Sequence, residues 1–218
     1  SVAEEVVLPA SVKYIDDFAF AGSAVGKINL ENVDYIDGNA FEGCAQLTSV
    51  TLTAEVVYSK AFLNCTGLEE IKLDGTKFIN SNVFQGCISL TSVTVPASVI
   101  ALKAEAFKDC TRLETAEVNV GNLNGTVSSS GTAGNGWFKG CTSLKSVTFA
   151  DGLLRLENYL FEGCTSLTTI KLPATLQRLS AGYGAFKNCT SLVSLTIPAG
   201  VTAIENNEFV GCASLKEI

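Results

Sequence analysis

Residues 41–52 read Phe-Glu-Gly-Cys-Ala-Gln-Leu-Thr-Ser-Val-Thr-Leu, and residues 161–172 read Phe-Glu-Gly-Cys-Thr-Ser-Leu-Thr-Thr-Ile-Lys-Leu. The shared phrase is a phenylalanine, a small turn residue, a cysteine, a leucine and a short apolar alternation. Anchors of this phrase recur every 21 to 31 residues, at Phe20, Phe41, Phe62, Phe84, Phe107, Phe138, Phe161, Phe186 and Phe209. A period of that size predicts a solenoid of about nine rungs, in which each repeat buries its apolar face against its neighbours.

Each repeat contains two short extended segments and one turn. In the first segment, residues such as Val93 and Val95 alternate with polar neighbours, which is the period of a half-buried strand. The second segment has inward residues such as Ile15 and Ile36 and leads into a brief helical or 3-10 turn. That turn ends at a position occupied only by residues that tolerate the left-handed conformation, namely Gly22, Gly43, Asn64, Gly86, Asp109, Gly140, Gly163, Asn188 and Gly211. The sequence therefore predicts a β-rich α/β solenoid with a cap in every rung.

The composition argues against several classes of partner. The chain of 218 residues has a formal net charge of −7 and no basic run, so it lacks the clustered Lys and Arg that bind nucleic acid phosphates. No apolar stretch approaches the roughly 20 residues of a membrane span, so we expect no direct membrane insertion. Residues 1–74 hold 12 acidic and 4 basic residues, a balance of −8. Any preference for a cationic partner would therefore belong to the N-terminal rungs.

The eight cysteines follow the repeat rather than a disulfide framework. All of them occupy the position after the cap, and the first rung has Ser23 there instead. Equivalent side chains of stacked rungs point the same way, which suits small buried thiols and gives poor bridge geometry. We expect free buried thiols. Zinc is not expected, because the chain has no His and no CxxC pair.

Catalysis finds little support in the sequence. Without His, the Ser-His and Cys-His nucleophile pairs are impossible. A pair of carboxylates for glycoside hydrolysis stays conceivable, but a continuous ladder of strands offers no deep pocket for it. We therefore predict that the protein is not an enzyme and uses no cofactor.

The repeat phrase resembles that of the BspA-like leucine-rich repeats, close to LxxVxIPxxVxxIxxxAFxGCxxL, over essentially the whole chain. The resemblance implies a leucine-rich-repeat fold and a secreted or surface-anchored protein of mucosal bacteria or protists. It also implies a role in adhesion or host-protein binding, and it carries no catalytic residues. Since Ser1 begins inside a repeat, we expect a piece of a longer protein whose signal and anchor lie elsewhere.

One row of outward residues is the leading candidate for a binding site. Along the second segments, the residue before the inward position is Tyr14, Tyr35, Val56, Phe78 and Ala101 in the early rungs, and Arg155, Arg178 and Ala203 in the late ones. Tyr58 follows the inward residue of the third rung. Cross-strand ring pairing would explain an aromatic stripe structurally. The alternative is a binding patch formed by Tyr14, Tyr35, Tyr58 and Phe78, because exposed tyrosine is typical of interfaces.

Carboxylates lie close to that stripe in two adjacent rungs. Asp16, Asp17, Asp34 and Asp37 could together hold Ca²⁺, whose ligands are oxygens. Their spacing matches no calcium loop, and the preference of Asp for turns explains them more simply. We therefore predict no metal site.

The fifth repeat carries an insertion over residues 119–136, rich in Gly, Ser and Asn, which we predict to be a surface loop. Trp137, the only tryptophan, follows at a position usually occupied by Ala. Two interpretations stay open: Trp137 packs under the base of the loop, or it is the aromatic anchor of a binding loop.

Together these observations predict one leucine-rich-repeat domain over residues 1–218. We expect a cell-surface or secreted adhesion module whose partner is a host or matrix protein. Two alternatives are a structural spacer that holds another domain off the cell surface and a glycan-binding module. Exposed aromatic rings would favour binding over the spacer.

Overall fold

The structure is a computed structural model that describes residues 4–120, 135–180 and 182–218. The nine anchor phenylalanines form one continuous stack through the described residues. Neighbouring rings lie 4.9–6.0 Å apart, with interplanar angles of 2–23°. About eight turns of a leucine-rich-repeat solenoid separate the first anchor from the last, which confirms the predicted fold class.

The first row of strands contains the alternating segments, and every pairing in it is parallel. Its members are β1 (Glu4–Val6), β3 (Val25–Ile28), β5 (Ser49–Thr51), β7 (Glu70–Lys72), β9 (Ser92–Val95), β11 (Thr115–Val118), β12 (Ser146–Phe149), β13 (Thr169–Ile170) and β14 (Ser194–Leu195). Hydrogen bonding divides the row into four groups, β1–β3, β5–β7, β9–β11–β12 and β13–β14.

The second row is one parallel five-stranded sheet along the early rungs. Its strands have two residues each and are β2 (Tyr14–Ile15), β4 (Tyr35–Ile36), β6 (Val56–Val57), β8 (Phe78–Ile79) and β10 (Ala101–Leu102). In the late rungs the described residues retain only an isolated bridge between Arg155 and Arg178 at this place. The early rungs therefore have a continuous second sheet, which the described late rungs lack.

The core lies between the two rows and the turns. Most inward residues of both rows are buried, and so are seven of the nine anchor rings. The two terminal anchors, Phe20 and Phe209, are only partly buried. Fully burying one such side chain contributes roughly 1.5–3 kcal/mol.

The alternation read from the sequence separates most inward from outward residues. It is wrong at Ile204, an inward position that is 53% exposed at the C-terminal end, and at Ala101, an outward position that is buried. Phe149 and Ile197, also at inward positions, are only partly buried.

The expected helical turns are hydrogen-bonded turns, and the described residues contain no helix. Two left-handed residues explain the difference. In the second rung, Asn39 has φ 56° and Gly43 has φ 70°, so only three residues between them can wind to the right. The turn instead joins its neighbour: the amide of Phe41 donates to the carbonyl of Ala61, 2.7 Å away, and most other anchors repeat this bond.

The caps are the positions predicted from Gly, Asn and Asp, and all nine have positive φ values of 57–78°. A further regularity appears only in three dimensions. The side chain of each non-glycine cap covers the Cα of the next cap, so that a Cβ on Gly86 would overlap Asn64 Oδ1. Asp109 covers Gly140 and Asn188 covers Gly211 in the same way. Every non-glycine cap is accordingly followed by a glycine cap.

The cysteines form a ladder of thiols, and none is in a disulfide. Each thiol donates to the carbonyl of the anchor phenylalanine in the preceding rung, as Cys65 does to Phe41 at 3.0 Å. Burial raises the pKa of these thiols, for Cys110 to about 12. The thiols are therefore protonated core groups that also satisfy backbone carbonyls.

Candidate functional site

The five-stranded second sheet aligns three of the candidate rings, Tyr14, Tyr35 and Phe78, and Tyr58 directly follows its strand β6. Tyr14 pairs in register with Tyr35, Tyr35 with Val56, and Val56 with Phe78. The exposed fraction is 52% for Tyr14, 37% for Tyr35 and 39% for Tyr58, and Phe78 is half-buried. Their inward neighbours are buried. We call Tyr14, Tyr35, Tyr58 and Phe78 the aromatic patch.

Within the patch, two tyrosines form a pair that is tied to the next rung. The ring centroids of Tyr14 and Tyr35 lie 6.0 Å apart at an interplanar angle of 38°. The Tyr14 hydroxyl donates to Asp37 Oδ2 at 2.7 Å. Ring pairing of this kind stiffens a sheet, yet it leaves about half of Tyr14 in contact with solvent.

Three carboxylates converge beside the pair. Oxygens of Asp16, Asp17 and Asp37, here called the acidic trio, all lie within 4.8 Å of one another. Asp34, which the sequence places in the same cluster, is not in this group. None of the trio forms an ion pair with a described residue. The trio therefore gives this face an uncompensated negative charge.

The negative charge of the acidic trio affects the ionisation of the neighbouring Tyr14 phenol. The hydrogen bond to Asp37, together with desolvation and the negative charges of Asp37 and Asp16, raises the pKa of Tyr14 to about 12. A phenolate would face these carboxylates directly, so the neutral hydroxyl is favoured.

Comparison with known proteins identifies the repeat. A family model described as BspA type leucine rich repeat region matches residues 2–114 and 127–218 in six copies. The chain belongs to the BspA-type leucine-rich repeat family. Leucine-rich repeat proteins are generally non-catalytic scaffolds for protein interaction. Among curated proteins, none matches this chain.

Solved structures support the same fold. A leucine-rich repeat protein from Eubacterium ventriosum is similar with a TM-score of 0.69 and 20% identity, over 95% of this chain and 64% of that one. The T. pallidum leucine-rich repeat protein has a TM-score of 0.57 and 24% identity, over 98% and 78%. A leucine-rich cell surface protein from Faecalibacterium prausnitzii has a TM-score of 0.52 and 19% identity, over 99% and 87%. At these identities the likeness shows the fold alone.

The late rungs of this BspA-type solenoid carry a second tyrosine pair, and there the charges are neutralised. The rings of Tyr159 and Tyr183 lie 5.7 Å apart at 46°. Lys139 Nζ lies 5.3 Å from the centroid of Tyr159 and 2.7 Å from Glu162 Oε2. Lys187 Nζ lies 3.2 Å from Glu162 Oε1. Sequence reasoning missed this cluster, because Tyr159 lies two residues before its anchor phenylalanine and Tyr183 three, so the pair has no common repeat position.

Trp137 does not provide the exposed anchor considered from the sequence. Its side chain is only 1% exposed, which corresponds to packing rather than to ligand contact. The indole Nε1 has no hydrogen-bond partner among the described residues. Of the insertion predicted over 119–136, residues 121–134 lie outside the described part of the chain.

Two other surfaces of the BspA-type solenoid bear on function. An open groove of about 1070 Å³ lies on the first row in the late rungs, and its lining includes Thr148, Thr169, Lys171 and Thr196. It is an open groove rather than a closed pocket. Over the described residues, no helix is long and apolar enough to cross a bilayer.

Proposed function

We propose that this chain is a cell-surface or secreted module that binds another protein through the aromatic patch on its early rungs and has no catalytic activity. One observation carries the proposal: Tyr14, Tyr35 and Tyr58 stay 37–52% exposed on a regular sheet whose inward residues are buried. The core is complete without these rings. Cross-strand pairing accounts for the contact between Tyr14 and Tyr35, but not for the fraction of these rings that stays exposed.

The physical case rests on what tyrosine does at interfaces. Tyrosine offers a large contact area with little conformational entropy to lose, and interface cores are enriched in it. Equivalent side chains on paired strands lie about 5 Å apart, so the patch can act as one surface. A few such rings commonly supply most of the binding energy of an interface.

The wider setting is part of the same proposal. The Faecalibacterium prausnitzii relative is described as a cell surface protein, which supports an extracellular location for this chain. We further propose that residues 1–218 form one binding domain and that residues 119–136 are a surface insertion. A host or matrix protein is the proposed partner.

The experiment compares adhesion of matched variants to decellularised epithelial matrix. Tyr14→Ser combined with Tyr35→Ser should lower binding about tenfold or more, because the two paired exposed rings of the patch are removed. Tyr183→Ser is the control, since Tyr183 is also exposed, at 38%, but lies in the late rungs. Circular dichroism should show that both variants keep the wild-type fold.

Treatment of the matrix separates the alternatives. Protease should abolish binding of the wild-type chain, and enzymatic removal of glycans should leave it intact. The opposite pattern would favour a glycan-binding module. No binding of the wild-type chain to untreated matrix would favour the spacer, and equal binding by the double variant would remove the aromatic patch from the proposal.

A further inference from the structure

We propose that the partner contributes a cationic side chain, Arg or Lys, which lies against the Tyr14–Tyr35 pair and is neutralised by the acidic trio. The inference rests on the proposed function, because it describes the chemistry of the same face. It defines the partner more narrowly, as a protein with an exposed basic segment.

The first argument is a comparison within the molecule. In the late rungs, a tyrosine pair, a carboxylate and two lysines form one cluster: Lys139 Nζ lies 5.3 Å from the Tyr159 centroid and 2.7 Å from Glu162. The early rungs combine the first two of these groups, a tyrosine pair and carboxylates, at other repeat positions. Tyr14 and Tyr35 lie 6.0 Å apart at 38°, beside three carboxylates. The part they lack, among the described residues, is the cation.

The second argument is electrostatic. The oxygens of Asp16, Asp17 and Asp37 lie within 4.8 Å of one another, and no described residue forms an ion pair with them. Like charges at that distance repel, and a cation placed among them relieves the repulsion. The raised pKa of Tyr14 reports the same negative potential at the position of its hydroxyl.

The third argument concerns ring geometry. A guanidinium or ammonium group is attracted to the face of an aromatic ring within about 6 Å of its centroid, and a nearby carboxylate adds a charge-assisted hydrogen bond. The bond from the Tyr14 hydroxyl to Asp37 Oδ2 connects one ring to one carboxylate before any partner arrives. Less ordering is then required on binding.

A further residue on this edge fits the same picture. Phe18 follows Asp17 directly, is 59% exposed and has φ 58°, a conformation that a bulky side chain rarely adopts. At the same repeat position Tyr159 also has φ 58°, but its ring contacts Tyr183 and two lysines. Phe18 has no ring contact or cation contact among the described residues. It enlarges the apolar surface next to the acidic trio.

The test uses two synthetic peptides of the same sequence, one with arginines separated by Gly-Ser spacers and one with citrulline in place of each arginine. Citrulline keeps the planar group and removes its charge. Titration followed by NMR should show the arginine peptide shifting the ring signals of Tyr14 and Tyr35. The citrulline peptide should bind at least about tenfold more weakly.

Variants of the chain locate the charge. Asp16→Asn with Asp37→Asn should lower affinity for the arginine peptide by about tenfold, while the asparagine side chain that replaces Asp37 can still accept the Tyr14 hydroxyl. Asp34→Asn is the matched control, since Asp34 lies in the same region outside the acidic trio. If the double variant did not fold, the comparison of arginine with citrulline on the wild-type chain would still decide the question.

The outcomes separate this inference from the proposed function. Equal binding of the two peptides, or no binding of either, would overturn the cation site, even if Tyr14→Ser with Tyr35→Ser abolished adhesion to matrix. Arginine-dependent binding that requires the acidic trio, combined with unchanged adhesion of the tyrosine double variant, would support the site and overturn the proposed function.

Discussion

The early and late rungs share one repeat frame but treat their polar surface groups differently. In the late rungs Glu162 lies between Lys139 and Lys187, and Arg178 reaches Glu205 at 3.0 Å. In the early rungs the acidic trio has no such partner among the described residues, and its neighbouring rings are exposed. Surface charges of this solenoid can therefore be neutralised by residues of the same chain, as in the closed cluster of Glu162, Lys139 and Lys187, or lack an ion-pair partner among the described residues, as in the open cluster of the acidic trio. The open cluster is where binding is expected.

The largest expected effect tests whether the early and late rungs unfold as one cooperative unit. Phe107 is fully buried and stacks on Phe84 at 5.4 Å and on Phe138 at 5.7 Å, where the halves meet. Phe107→Ala should lower the free energy of unfolding by about 3–5 kcal/mol. Urea unfolding followed by Trp137 fluorescence measures this loss. Native-state hydrogen exchange should show that both halves lose protection, because each rung is stabilised by its neighbours.

The control for this prediction is Phe20→Ala. Phe20 is only partly buried and has one neighbouring ring in the stack, Phe41. A loss as large as that of Phe107→Ala, or a loss of protection confined to one half, would contradict the nearest-neighbour account.

A smaller effect is expected at the closed cluster. Burial alone would raise the pKa of Glu162, but hydrogen bonds and charges from Lys139 and Lys187 outweigh it and lower that pKa. The resulting stabilisation is present above the unfolded-state pKa of about 4.3 and is lost as pH falls through the folded-state value. Glu162→Gln should therefore lower the free energy of unfolding at pH 7 by roughly 1 kcal/mol, with the loss shrinking below about pH 4.

Glu42→Gln is the matched variant from the early rungs. Glu42 occupies the same repeat position and accepts a hydrogen bond from Asn39 at 2.6 Å, without an ion pair among the described residues. A glutamine can keep that bond, so the expected change is a few tenths of a kcal/mol. Equal losses in thermal denaturation of the two variants would show that the lysines add nothing.

A pH-dependent effect is expected from Glu208, which occupies the core position of Ala40 and Ala61. Burial raises its pKa, although Ser180 and the amide of Ala185 donate to it. Because the pKa of Glu208 is higher in the folded state than in the unfolded state, the protonated carboxyl stabilises the fold. This contribution is full below about pH 4.3 and is lost as pH rises through the folded-state pKa. The melting temperature of Glu208→Gln relative to wild type should therefore increase between about pH 4 and pH 7. A difference that falls over this range would contradict the assignment.

The smallest expected effect changes a titration and not the fold. Asp37→Asn should lower the pKa of Tyr14 from about 12 toward its ordinary value near 10, because a neutral acceptor replaces the carboxylate. Ultraviolet titration of the phenols measures this shift. Asp34→Asn should leave the Tyr14 titration unchanged. The same response to both variants would mean that general charge, rather than the bond to Asp37, sets the pKa.

Much of the fold is readable from the sequence, because a repeated signal is averaged over nine copies. The caps follow from three residue types, and all nine have positive φ. The first left-handed position, present in most of the turns, escapes sequence reasoning, since it is occupied by residues as different as Phe18, Lys60 and Glu105. Hydrogen bonds to the next rung hold it, such as that from the Lys60 amide to Ser81 at 3.0 Å. Asn39, Asn82 and Asn207 tolerate this conformation, but the mixture of residue types at the position gives no consistent signal, so the sequence predicts a helical turn in its place.

The candidate site was predictable only in part. Strand alternation assigns Tyr14 and Tyr35 to the outward face, and the structure places them there. The hydrogen bond from Tyr14 to Asp37 joins residues 23 positions apart and depends on side-chain conformation, so no local sequence pattern predicts it. Burial of Trp137 was one of two interpretations that a single residue could not resolve.

The overlap between successive caps has a consequence for how such a chain can change its length. Recombination between similar repeats copies or deletes whole rungs, but the rungs are not interchangeable, because Asn64 covers Gly86 and Asn188 covers Gly211. Copying the rung of Asn64 in tandem would set one asparagine over another, and the first amide would have to rotate away. A duplicated glycine-capped rung meets no such obstacle at Gly43, where a Cβ would contact nothing within 4 Å. The order of caps thus limits which repeats can be duplicated, and it favours lengthening of the chain by duplication of glycine-capped repeats.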